Sequence, residues 1–457
     1  MVEVLNQEKE SVYRQFIAKV RQAGFVRLVC ISREIDHFAA LFSLIVVLER
    51  EIIKHEVIWE DARSGKQAVF EIGIGQGCKV ENGAVISTQK EKHTKNIMFL
   101  LGETLEEVIF NLCKSIGHMT SECLWSICVS MYGSLDKAEQ IQWRHPIKNV
   151  LGDRKAKEED LEETEDEDFE QKENIYVEDG DFCGIKKEIA AEVSRLERDD
   201  DDEKKSIQQV KGIYFSFSQW CTLYEALLQD FGVIEELGLF FQRKNTKHCL
   251  LENPEYLLNQ FLARLGVSVA AAQETSLNNL VGPVQEVIRR SFNKRQTYFK
   301  HYQYNLGFSH VEVFYSICHL IKNGAFTEAV FSFRNIKFID VHKGLAEYNK
   351  VVHSVKKGIE KRRVLKVCGM SMVLIPKGAV VFMSKNEITL MKKVFGTIYY
   401  MCKEKNPHKE IIMAAYIENS RIFRVFFKEE DHIRWEDTEE KNLNNSIVGI
   451  LTRLEEE

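Results

Sequence analysis

Residues 25–51 read FVRLVCISREIDHFAALFSLIVVLERE, and the change of pattern inside this stretch decides the fold class. Phe25 to Ile31 is a short run rich in branched apolar residues, as in a buried strand, and near Asp36 a longer pattern begins that belongs to a helix. The apolar part of that helix, Phe38 to Leu48, is eleven residues long and stops at Glu49-Arg50-Glu51. A membrane span needs roughly 20, so this is a helix buried in protein. Working outward, EVIW (Glu56 to Trp59), AVFEIGI (Ala68 to Ile74) and GAVIS (Gly83 to Ser87) are further short strands. Strands separated by helices predict an α/β sheet with parallel strands. Leu105, Val108, Ile109 and Leu112 then recur at helical spacing, and the apolar run around Leu124 to Met131 continues it.

Charge marks the next boundary. The chain has 457 residues, 44% of them hydrophobic and 10% aromatic, as expected of several globular domains, and carries a net charge of −7. Residues 153–205 hold 23 acidic and 10 basic side chains, including EEDLEETEDEDFE (Glu158 to Glu170) and four aspartates at 199–202. Such a segment has too little apolar surface to offset the entropy of ordering, so residues 153–206 are expected to form a disordered or partly helical surface insertion. The remainder is mildly basic, far from the footprint of a primary DNA reader.

Beyond the insertion the period is helical. Trp220, Leu223, Tyr224 and Leu227 form one stripe, with Ser218 as the expected cap and Gly232 beyond. Asn253 and Pro254 suit the cap and first position of the next helix, Leu258, Phe261, Leu262 and Leu265 form its stripe, and Gly266 stops it. The last third returns to α/β: SMVLIPKGAVVFMS (Ser371 to Ser384), KEIIMAAYI and RIFRVFFKE read as strands, with helices near Lys350 to Lys366 and Glu387 to Cys402.

The start, MVEVLNQEKESVYRQF, lacks the order of a secretory signal, and the eleven cysteines include no CxxC pair. Cys30, Cys113, Cys318 and Cys402 lie in apolar company, so reduced thiols in the cytosol or nucleus are expected. Gly73, Gly75 and Gly77 follow a strand without the G-K-S/T of a phosphate loop, and Lys66 is followed by Gln67, which argues against ATP hydrolysis. Asp36-His37 sits just after a strand end, where an α/β sheet presents ligands, but neighbouring strand ends lack the further Asp and His of a two-metal site. Arg289, Arg290, Lys294, Arg295 and Lys300 interleave with Phe292, Tyr298, Phe299 and Tyr302, a composition that fits either a helix face or contact with single-stranded nucleic acid. Lys356, Lys357, Lys361, Arg362, Arg363 and Lys366 read as a helix face or a nuclear-import signal, while His310, Cys318 and His319 match no ligand spacing and read as core.

Taken in order, these residues resemble the cell division control protein 45 family, itself similar to the DHH phosphoesterases and RecJ exonucleases. WCTLYEALLQD, with Trp220 and Leu223, resembles the family's W-S-L-Y/H-D-S motif. FLARLGVSVAAAQET, with Gly266 and Gln273, resembles F-A-x-M-G-I/L-P-L-x-x-A/V-Q-E/K, and YQYNLGFSH, with Gly307 and Phe308, resembles F-x-x-x-F/L-G-F/Y-x-H/G. Upstream, VCISREIDHFAAL is similar to the first DHH motif, with Glu34-Ile35-Asp36 at its D-x-D, and LWSICVSMYG looks like L-W-W-A-I-V-G-L-T. Downstream, FTEAVFSF and GLAEYNKVVHSVKKGIEKRRVLKV are similar to the F-x-x-A-x-x-S-L and G-L-E-x-A-K region. Two features depart from the family: no D-x-H is recognisable around Ser87 to His93, and the acidic tract follows LWSICV instead of preceding it.

The resemblance implies an α/β protein with an N-terminal degenerate DHH phosphoesterase-like domain over residues 1–152 and a helical interdomain module over 207–325. A smaller DHHA1-like α/β domain would follow over 326–457. It implies no enzyme activity, no cofactor and no metal, with Glu34 and Asp36 as a vestigial phosphoesterase motif. The implied role is that of a replicative-helicase subunit in the nucleus, on chromatin at origins and forks. It would join the minichromosome-maintenance ATPase ring to the GINS tetramer, close the ring gate and meet loading factors and the replicative polymerase. The helical module would be the main contact surface, with single-stranded DNA as a secondary ligand and no membrane. Two rivals stand beside it: a manganese-dependent DHH-type nuclease or phosphoesterase using Asp36, and a free single-strand binder using Arg289, Arg290, Lys294 and Arg295.

Overall fold

The computed structural model describes residues 9–30, 33–59, 70–74, 83–87, 97–101, 104–133, 188–189, 191–196, 207–209, 221–229, 254–276, 279, 302–304, 308–360, 364–367, 370–375, 388, 390–392, 394–395, 411–417, 421–429, 432–443, 445–447 and 449–450. The strands β1 (Phe25–Cys30), β2 (Lys54–Trp59), β3 (Phe70–Ile74), β4 (Gly83–Ser87) and β5 (Ile97–Leu101) form one sheet. Their order is β2-β1-β3-β4-β5 and every pairing is parallel, as the alternation of strands and helices predicts. The chain runs from β1 out to β2, then returns to the other side of β1 for β3, so the winding reverses at the C-terminal ends of β1 and β3. In open α/β sheets that point is where ligands enter.

Helices α1 (Lys9–Ala23), α2 (Ile35–Arg50) and α3 (Leu105–Ser115) pack on this sheet, and α4 (Ser121–Gly133) packs on α2 and α3. The apolar run that opened the sequence reading is buried from Phe38 to Leu48. Ser43 lies in that run because α2 meets α4 there, and its hydroxyl hydrogen-bonds Ser126 at 2.8 Å. The α1 helix carries no strong sequence signal but buries Tyr13, Phe16, Ile17 and Val20. Arg21 at its end forms a bidentate pair with Glu51, which His118 also contacts, and these partners hold the Glu51 carboxyl down to about 2.

The end of α2 is strained. Ile52 adopts φ 57° and is 91% exposed, at the position where the amides of Ile52 and Ile53 close the helix onto Glu49 and Leu48. Glycine is the usual residue there, since a β-branched side chain in the left-handed region costs about 1–2 kcal/mol. Ile52→Gly is therefore expected to raise stability by about 1 kcal/mol, readable as a higher denaturant midpoint with an unchanged slope.

The helical middle comprises α5 (Leu223–Gln229), α6 (Pro254–Arg264) and α7 (Val269–Glu274), which share a small core of their own around Leu223, Leu227, Leu258, Leu262 and Ala272. The α5 helix starts later than the Ser218 cap predicts. Thr222 is its cap, because the Thr222 hydroxyl accepts from the Glu225 amide while Glu225 reaches back to the Thr222 amide, satisfying two free donors. Gly266 ends α6 at φ 71°, and Ser268 caps α7. Short strands β6 (Gln208–Gln209), β7 (Tyr302–Tyr304) and β8 (Phe308–Ser309) lead into α8 (His310–Lys322), which a Ser309–Glu312 capping box starts.

With α9 (Phe326–Phe331) and α10 (Phe338–Glu360), α8 joins the large core: α8 packs on α4 and α10, and α9 on α2. Helices α8 and α10 touch at Gly344, whose backbone lies against the Tyr315 carbonyl. The predicted helix over 350–366 is corrected at its end. It stops at Glu360, and Val364–Val367 form β9, whose valines favour a strand that pairs with β10 (Met370–Ile375).

Strands β11 (Ile411–Tyr416), β12 (Ile422–Glu429) and β13 (His432–Glu439) complete a second sheet in the order β13-β12-β11-β10-β9, with only β10 and β11 parallel. Met413, Ala415 and Phe426 face the large core, while Ile412, Ala414, Phe423 and Val425 pack on Ile447 and Ile450. The β13 strand, HIRWEDTE, escaped the sequence reading because its charges mask the alternation. It is fixed by Arg424, fully buried, which binds Asp437 through two hydrogen bonds and stacks on Trp435.

Within the acidic insertion, helical residues 188–189 and 191–196 place Ile189 and Val193 in the large core. This stretch is thus part of the fold, because its apolar residues at i and i+4 give it a buried face. No helix among the described residues is long and apolar enough to cross a membrane.

Candidate functional site

The site forms where the winding reverses. Glu34 is the residue that precedes α2, and Asp36 lies in its first turn, so both carboxylates flank the C-terminal end of β1 while Ile35 between them is buried. Asp36 Oδ1 accepts from the His37 backbone amide at 2.8 Å and meets His37 Nδ1 at 2.7 Å. From the C-terminal half, a helical segment buries Leu390, Met391, Val394 and Phe395 and extends the Lys392 ammonium to Glu34. Underneath, Glu106 in the first turn of α3 is buried and accepts a hydrogen bond from Ser130 at 2.5 Å.

The charges are strongly coupled. Burial pushes the Asp36 carboxyl up, but the His37 charge and hydrogen bond, and then Lys392, outweigh it and hold Asp36 down at about 2. Burial pushes His37 down, yet the adjoining Asp36 outweighs it, so the imidazole keeps its proton to higher pH than a free one. Glu106 moves the other way: burial first, and the Asp36 charge second, raise it to about 7 in spite of the Ser130 hydroxyl. One carboxyl is thus held ionised and its neighbour held close to neutral, by environment alone.

A divalent metal does not fit these residues. Its donors would have to be free carboxylates, but Glu34 is engaged by an ammonium and Asp36 by His37, and no group of three or more metal-binding side chains occurs among the described residues.

The other predicted positions are dispersed. Leu223 lies in the core of the helical middle, Gly266 at the end of α6, and Gln273 exposed on α7, while Phe308 is in β8 against the large core. Trp220, Gly307, Arg289, Arg290, Lys294, Arg295 and Lys300 lie outside the described residues. His310 is buried against Tyr132 as expected, whereas His319 is not simply core: its Nδ1 lies 3.1 Å from Glu347, with which Lys322 pairs, and both contacts tie α8 to α10. Gly73 lies inside β3. The sequence reading missed Glu106 and Lys392. An acidic residue in a first helical turn is ordinary, and nothing in one chain sequence pairs Lys392 with a residue 358 positions away.

No family model matches the chain, and no curated protein sequence matches it. Solved structures do. The crystal structure of CDC45 from Entamoeba histolytica superposes with a TM-score of 0.61 at 10% identity, covering 97% of this chain and 91% of that one. The chain has the CDC45 fold. Exonuclease RecJ bound to manganese matches at a TM-score of 0.38 and 9% identity over 93% of this chain and 83% of that one. RecJ from Thermus thermophilus in complex with Mn2+ matches at 0.36 and 9% over 94% and 49%. The CDC45 match extends over nearly the whole of both chains.

Proposed function

We propose that this chain is a non-enzymatic subunit of a replicative DNA helicase, working in the nucleus on chromatin at origins and forks. It binds the minichromosome-maintenance ring together with GINS, meets the loading factors and the replicative polymerase, and touches single-stranded DNA secondarily. The observation that carries this reading is the likeness to CDC45, which extends over nearly the whole length of both chains. The charge arrangement at Glu34 and Asp36 is consistent with it, since carboxylates already engaged by Lys392 and His37 are poorly placed to bind a metal that would activate water. Three large apolar side chains exposed around the α9–α10 turn, Phe331 (50%), Phe338 (64%) and Ile339 (53%), fit a protein that acts through interfaces.

In mechanism the ring hydrolyses ATP, and this chain contributes binding free energy that favours the closed, translocating state. Co-expression with the cognate ring and GINS, followed by size exclusion and an ATP-dependent unwinding assay, tests it. Co-elution, with unwinding lost when the chain is omitted, is the expected result. Elution alone with unwinding unchanged would reject the reading and turn attention to manganese-dependent cleavage sensitive to Asp36→Ala.

A further inference from the structure

The cluster at the end of β1 concentrates negative charge at the ligand-entry point of a parallel sheet, and its balance comes from an unexpected direction. Glu34 and Asp36 belong to the N-terminal sheet, yet the cation that meets Glu34 is carried by the C-terminal half of the chain. Lys392 does not reach across as a loose surface arm: Leu390 and Met391 before it, and Val394 and Phe395 after it, are buried in the large core. The packed segment presents the ammonium to the cluster already oriented, which limits the entropy lost in forming the pair. Asp36 feels the same charge, and His37 completes the balance from within α2.

We propose that the Lys392 ammonium is the resident cation of the Glu34–Asp36 cluster, standing where a divalent metal ion would otherwise be drawn, and that it fastens the C-terminal half of the chain over this end of the sheet. An ammonium neutralises carboxylates but, having no empty coordination position, neither polarises a phosphoryl oxygen nor ionises a bound water. A cluster built this way keeps its charge balance and gives up its chemistry.

The test is metal binding by the full chain, read as thermal melting with manganese chloride and, separately, magnesium chloride. The wild-type protein should melt at the same temperature with or without either metal. Lys392→Met should melt several degrees lower in their absence and, with Glu34 freed to join Asp36 as a pair of carboxylate donors and water filling the remaining positions, recover in a saturable way as manganese is added. Adding Glu34→Gln to that variant should abolish the recovery. If Lys392→Met does not fold, Lys392→Gln, whose neutral amide can still donate to Glu34, should show the same gain of a manganese response. A manganese response in the wild-type protein overturns the proposal, as does its absence from both Lys392 variants.

Discussion

Gly344→Ala is expected to lose the native packing of α8 against α10. A Cβ built on Gly344 would lie 2.2 Å from the Tyr315 carbonyl oxygen and 2.5 Å from its carbon, and both are backbone atoms of a helix. Neither can swing aside as a side-chain terminus could, so the helices must separate. The region that would separate is densely aromatic: Tyr315 packs on Tyr348 at 4.6 Å between ring centroids with the rings tilted by 43°, and contacts Phe314 and Tyr132. Moving α10 outward by only about 1 Å forfeits a large part of these contacts. Overpacking typically costs about 1–3 kcal/mol and more where the backbone is the obstacle, so about 3 kcal/mol or more is expected here. Urea unfolding followed by near-ultraviolet circular dichroism would report it. A midpoint within error of wild type would show that α8 and α10 do not touch at Gly344.

Glu106→Gln is expected to act in the opposite direction, and only above acid pH. In the unfolded chain Glu106 ionises at its ordinary value of 4.5, whereas in the fold burial and the Asp36 charge raise it to about 7. Below pH 4.5 the group is protonated in both states and costs nothing. As pH rises towards 7, the unfolded chain gives up a proton that the folded chain retains, and stability falls. Above about pH 7 the loss is complete and corresponds to about 3 kcal/mol. Glutamine keeps the shape and the acceptor for Ser130 but cannot ionise. The variant should match the wild-type protein at about pH 4 and exceed it by about 2–3 kcal/mol at about pH 8. Equal stability at both pH values would place Glu106 in contact with water.

How far the sequence foretold the fold depended on whether the deciding signal was local. The strand-to-helix switch in residues 25–51, the stripe of α3 and the proline start and glycine stop of α6 are patterns set by neighbours in the chain, and the structure follows them. The reading failed where a residue's neighbours are remote. β13 is a strand because Arg424 needs Asp437 and Trp435, and α1 is a helix because α3 and the sheet cover its apolar face. The site divides along the same line. Glu34, Asp36 and His37 announce themselves by adjacency at a strand end, while Glu106 and Lys392 enter only through tertiary packing, so the cluster's charge could not be inferred from its visible half.

The long helix α10 bears on how the molecule can move. Its 23 residues span about 34 Å. Its first turns are locked against α8, and three residues beyond its last turn the chain enters the second sheet at β9. Because Met413, Ala415 and Phe426 of the second sheet also pack in the large core, the two platforms are joined at their faces as well as through the rod. A push delivered to the C-terminal sheet would therefore reach α8 along both routes at once, as through a braced strut, and could not be absorbed midway.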